Sequence, residues 1–184
     1  MFNRTNSLSL IAGVTLVGLL PDVAFSQTLD GALGATSTGQ IGIELQVDDS
    51  VEITSLNTIN FGSYGGGDTG DINREESFCV YVNVNGSDQF SITPTSTNKN
   101  FVLIGAAGKD EIEYSVKFAN SATGASLDRV VSYNSPSATF LGSQLRDCGG
   151  KDNTSIDVSI PEQEIRDATT DNYTDTLILL VNPV

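Results

Sequence analysis

The chain has 184 residues, 23 acidic against 9 basic and no histidine, for a formal charge of −14. That field is a poor match for nucleic acid or anionic membrane surfaces. The lack of histidine removes the usual general base, the commonest zinc ligand and any Ser-His-Asp or Cys-His arrangement, and no convergent acid, base and nucleophile can be named; a protein that is not an enzyme and needs no cofactor or metal is expected.

Residues 1–26 read as a secretory signal: Arg4 in a short polar start, an apolar run from Leu8 to Leu20, then Ala24-Phe25-Ser26 as a small-x-small cleavage site. The run is too short to span a bilayer as a helix, and no later stretch approaches the length needed, so no membrane insertion is expected. Export leaves about 158 residues, enough for one ordinary domain. Residues 27–39, rich in Gly, Ser, Thr and Ala, read as a flexible leader.

Within residues 38–47, Ile41, Ile43, Leu45 and Val47 alternate with Gln40, Gly42, Glu44 and Gln46, the pattern of a strand with one apolar face. It stands before any element it could pair with as a local hairpin, which places its sheet elsewhere, in its own domain or in a neighbour. The domain proper is expected over 48–184, with residues 27–47 as leader and strand.

Val51 and Ile53 begin the next strand, which Leu56, Ile59 and Phe61 extend, and the glycine-rich run 62–70 must be an exposed loop. Phe78, Val80, Val82 and Val84 alternate as a strand that turns at 85–88 into Phe90 and Ile92, a hairpin with Pro94 at its far edge. Short strands follow at 101–104 and, as one alternating run of Ile112, Tyr114, Val116 and Phe118, at 112–118; 130–133 and 138–141 are weaker candidates. Ile156, Val158 and Ile160 alternate before Pro161, which sits at the first position of a short helix over 162–168. Residues 173–181 close the pattern with a strand apolar on both faces in its second half, as a central or doubly covered strand is. Many short strands with almost no helical period make an all-β antiparallel sandwich.

Cys79 and Cys148 are the only cysteines, and an oxidising compartment would join them. Asp147 beside Cys148 argues against a reactive thiol. Asp68-Thr69-Gly70 matches the aspartic-protease tripeptide, but it lies in a glycine run with no apolar strand leading into it. Residues 105–110 resemble a phosphate loop only superficially, since the spacing is short and Asp110 stands where a Ser or Thr should be. Asp48 and Asp49, and Asp68, Asp71, Glu75 and Glu76, are oxygen-rich but fit no regular calcium loop, so solvated charge is the expected role. Asn85, Asn153 and Asn172 begin glycosylation-type triplets that matter only in a eukaryotic secretory route.

Four stretches together resemble one family: Thr-Gly-Gln-Ile-Gly-Ile-Glu-Leu-Gln-Val at 38–47, Ile-Asn-Phe-Gly-Ser-Tyr at 59–64, Glu-Tyr-Ser-Val at 113–116 and Tyr-Thr-Asp-Thr-Leu at 173–177. The chain is similar to the spore coat protein U-like domain, which supplies the pilins of archaic chaperone-usher pili. The resemblance implies an immunoglobulin-like β-sandwich lacking its last strand and completed by a donor strand. A periplasmic chaperone would keep it folded, an outer-membrane usher would assemble it, and neighbouring pilus subunits would be its partners. Ile41, Ile43, Leu45 and Val47 would then fill a neighbour's groove, in an extracellular pilus serving adhesion and biofilm formation. Many members carry a cysteine where this chain has Ser50-Val51-Glu52, so the subunit is expected to be a minor or divergent one. The rival expectation is an exported sandwich that binds a ligand such as carbohydrate and keeps its N-terminal strand for itself.

Overall fold

The computed structural model describes residues 29–84, 86–108, 110–122 and 129–184; the expected export signal lies outside them. Among the described residues the elements are β1 Ser50–Thr54, β2 Ile72–Asn83, β3 Gln89–Ser96, β4 Val102–Gly105, β5 Glu111–Glu113, β6 Ser115–Ala119, β7 Val130–Val131, β8 Phe140–Leu141, β9 Thr154–Ile160, α1 Glu162–Asp167, β10 Tyr173–Thr174 and β11 Leu177–Pro183. All strand pairings are antiparallel, in a five-stranded sheet β1-β2-β9-β6-β7 and two three-stranded sheets, β11-β3-β8 and β10-β4-β5. The fold is the all-β sandwich expected.

Alternation builds the core. Phe78, Val80 and Val82 of β2, Val116 and Phe118 of β6, and Ile156, Val158 and Ile160 of β9 turn one face inward, to meet Phe90 and Ile92 of β3 and Phe140 of β8. Phe78 and Phe118 meet edge to face at 6.5 Å, and Phe90 and Phe140 pack at 5.7 Å.

β2 is longer than its apolar pattern announces. It begins at Ile72, and its first half pairs with β9, from Ile72 opposite Ile160 to Phe78 opposite Thr154. Its second half pairs with β1, from Cys79 opposite Thr54 to Asn83 opposite Ser50. Where β9 gives out, the Asn153 side chain accepts from Val80 N–H and donates to Val80 C=O, each at 2.9 Å. Ser143 then takes over that edge, donating to Val80 C=O and accepting from Val82 N–H, again at 2.9 Å. The expected disulfide, Cys79 to Cys148 with Cα atoms 5.9 Å apart, fastens the segment carrying these contacts to β2.

The expected hairpin at 85–88 does not form. β2 and β3 belong to different sheets, because β1 and Ser143 already occupy both edges of β2's second half, and the chain crosses between layers at a Val84–Ser87 bridge. Pro94 is therefore not at a far edge but buried within β3, whose carbonyl there accepts from Asn134 N–H at 2.8 Å. A residue's N–H and C=O point to the same side of an antiparallel strand, so proline's missing donor falls on the irregular 134–137 side and spares the β11 ladder.

Four other expectations change. The strand beginning at Val51 stops at Thr54, where Ser55 has φ 66°, and Ile59 and Phe61 pack on the core from irregular chain. The single run 112–118 is two strands broken at Tyr114, β5 in one sheet and β6 in another. The closing strand is likewise two, β10 and β11, and β11 is an edge strand with Ile178 and Leu180 exposed, not a central or covered one. Pro161 caps α1 from outside its first turn.

Residues 48–184 form one compact unit, and the described leader residues before them belong to another. In that leader, Leu29 and Gln40 exchange both backbone hydrogen bonds, at 3.1 and 2.8 Å, and close a loop. Residues 41–49 take no regular secondary structure in the chain by itself, and Ile41, Ile43, Leu45 and Val47 are 70 to 90 % exposed. Among the described residues no helix is long and apolar enough to cross a membrane.

Candidate functional site: an open edge between two sheets

The two layers end side by side at β1 and β11, which approach within 8 Å without pairing. The hydrogen-bond phase shows what these edges offer. Thr97 N–H donates to Thr176 C=O and Val184 N–H to Gln89 C=O, both at 3.0 Å, so the bonded pairs of the β11–β3 ladder fall at Ile178, Leu180 and Asn182. Leu177, Leu179 and Val181 consequently turn their backbone groups to the free edge while their side chains lean on the core. β1 repeats the arrangement. Val80 and Val82 bond to Ser143, which leaves Cys79, Tyr81 and Asn83 to bond β1, and Val51 and Ile53 with backbone groups outward and apolar side chains inward. These wall residues are half-buried, whereas Phe78, Val80, Phe90, Ile92, Val116 and Phe118 are 0 % exposed.

The start of β11 is held by a polar cluster. Asp175, in the break between β10 and β11, accepts from the Tyr114 hydroxyl at 2.7 Å, from Asn98 N–H at 3.1 Å and from Thr176 N–H at 2.7 Å. Asn98 Nδ2 donates in turn to Thr174 C=O at 2.8 Å and Val102 C=O at 3.1 Å. Burial, and then the hydrogen bond to Asp175, push the Tyr114 hydroxyl well above its ordinary range. At the other end of β11, Ser87 Oγ donates to Val184 C=O at 2.7 Å.

The remaining sequence motifs are occupied by the fold. Asp68 accepts from Gly65 N–H at 2.6 Å within its own loop, and Asp71 from Glu162 N–H at 2.9 Å at the start of α1. Glu75 and Glu76 lie within β2, not in the loop where the acidic cluster was expected. Among the described residues no group of three or more acidic or cysteine side chains converges on a metal position. Asn153 is committed to Val80 as above, and the neighbouring Thr154 is fully buried. Glu52 meets Arg146 at 2.8 Å, an exposed pair of small energetic weight.

Sequence reading missed the two open backbone edges, which no residue pattern encodes, and the Tyr114–Asp175 pair. A signal for the pair was present: Tyr114 and Asp175 belong to two of the four stretches that carry the family resemblance. No protein-family model matches the chain, and no curated protein matches it.

Proposed function

We propose that this chain is an exported structural subunit of an extracellular pilus, linked to its neighbours when residues 38–47 of one copy add as a strand to the open edge of the next. The observation that carries the reading is the edge itself. Leu177, Leu179 and Val181, with Val51 and Ile53 opposite, combine half-buried apolar side chains with outward backbone groups, the two things an added strand completes. The leader is the complementary object: Ile41, Ile43, Leu45 and Val47 repeat at the strand period and are exposed in the chain alone. A periplasmic chaperone would protect the edge before assembly at an outer-membrane usher, and adhesion and biofilm formation would be the fibre's service.

Burying four such side chains stabilises by roughly 6 to 12 kcal/mol as an upper value, and ordering the strand costs about 1 to 2 kcal/mol per residue. Apolar burial alone does not decide the matter, so the backbone ladder must contribute. The test is a subunit that accepts but cannot donate. Ile43→Asp with Leu45→Asp, mixed into wild type, should shorten fibres in proportion to its share, while Gln40→Asp with Gln46→Asp on the opposite face should do much less. Equal fibre lengths from both mixtures, measured by electron microscopy, would return the strand to its own domain.

A further inference from the structure

We infer that Tyr114 and Asp175 are positioning residues for strand acceptance, holding in place the end of the unpaired β11 edge that begins at Leu177; this rests on the function just proposed. β11 is bonded along one side only, so its placement depends on β3 and on its two ends. At the C-terminal end Val184 is tied to Gln89 and Ser87. At the N-terminal end Thr97 N–H donates to Thr176 C=O, and Asp175, two residues before Leu177, is held by Tyr114 and Asn98.

Tyr114 is suited to this because it stands at a crossover of its own, between β5 in the β10-β4-β5 sheet and β6 in the five-stranded sheet. Asp175 stands at the crossover from that same small sheet to β11. Their hydrogen bond therefore fixes the start of one groove wall relative to the layer that carries β1, the other wall. Loss of the Tyr114–Asp175 bond removes the tie between the Leu177 end of β11 and the β5–β6 crossover, so that end holds an added strand less firmly while the Val184 end keeps its own ties.

The probe is a synthetic peptide of residues 38–47, and the acceptor is the full chain carrying Ile43→Asp and Leu45→Asp so that its own leader does not compete. Dissociation is followed by peptide fluorescence well below the melting temperature. Tyr114→Phe should speed release roughly three- to tenfold, the span a single hydrogen bond allows. Peptides with Ile41→Ala or Val47→Ala each lack the anchor at one end, and a double-mutant cycle locates the effect. The Tyr114→Phe effect should couple to one of these peptides only, and Ser87→Ala, at the opposite anchor, to the other. Equal acceleration with all three peptides means general loosening and overturns the inference, as does unchanged release. Asp175→Asn serves as the second variant, and if neither it nor Tyr114→Phe folds, the pair belongs to the fold as a whole and the inference fails. A wild-type groove that does not bind the intact peptide fails the proposed function instead.

Discussion

The two ends of the sandwich are finished differently. At one, Asn120 on the loop after β6 donates to Leu141 C=O at 3.0 Å and accepts from Leu141 N–H at 2.7 Å, and Arg129 lies 5.4 Å from the centre of the Phe140 ring, so side chains tie the layers together. At the other, β1 and β11 face each other with apolar side chains half-covered and no strand pairing between them. The difference teaches that the core is closed by side chains wherever the chain supplies them and left to a strand where it does not. An edge strand ordinarily carries charge or proline to discourage pairing. β11 carries Leu, Ile and Val up to Asn182, and its proline comes only at the last position.

The largest effect should come from breaking the closed end. Phe118 is fully buried against Phe78, and Phe118→Ala should cost about 3 to 5 kcal/mol, read from denaturant unfolding. Leu179→Ala at the open end should cost less in the chain alone, because its side chain is only half-buried, and more once the 38–47 peptide is bound. A Leu179 cost equal to Phe118's and unmoved by peptide would mean that the open end is already complete.

Next in size is the disulfide, which clasps the 143–153 segment to β2. Cys79→Ser should lower stability by about 2 to 4 kcal/mol. Neither cysteine lies on the groove walls, so affinity for the 38–47 peptide should hold in the fraction that remains folded. Affinity and stability falling together would tie the groove to that segment.

Alternation was legible wherever one face is core: Phe78 to Val82, Val116 and Phe118, and Ile156 to Ile160 lie as the period requires. The first half of β2 was not, because Arg74 and Glu76 stand at the positions that continue the Phe78 and Val80 face and the apolar period breaks there. Sheet membership was also hidden. The period runs unbroken through Tyr114 while the chain changes layers, and only the Tyr114 N–H bond to Phe101 C=O at 2.9 Å marks the crossing. The leader's apolar residues were identified from sequence, but the edge proposed to receive them is a property of backbone phase, which side-chain order does not carry.

Tyr114 allows the open end to be sharpened by pH. Its hydroxyl is raised above the ordinary tyrosine value of 10.0, first by burial and then by Asp175, so the folded state holds the proton more tightly than the unfolded chain. The stabilisation is complete below pH 10.0 and is lost as pH climbs beyond it. Tyr114→Phe should cost about 1 to 2 kcal/mol at neutral pH, through the lost bond and the acceptor left behind. It should also flatten the alkaline limb, so that the two stability curves converge at high pH. Parallel curves would mean that the hydroxyl titrates as freely as in the unfolded chain.

The smallest effect belongs to Asp157, on the outer face of the five-stranded sheet and only 7 % exposed, opposite Glu75 on one neighbouring strand and Lys117 on the other. Burial raises its carboxyl above the usual range and Glu75 adds to the rise, while Lys117 opposes it. The folded state thus binds the proton more readily than the unfolded chain, and stability falls as pH rises through the interval between the two values. Asp157→Asn keeps the shape and removes the charge. It should stabilise by about 0.5 kcal/mol or less at neutral pH. That gain should vanish in acid, where the carboxyl is protonated in both states. Since Asp157 lies away from both ends, peptide binding at the open edge should not register the change. A loss of stability at neutral pH would instead show that attraction to Lys117 outweighs the cost of burial.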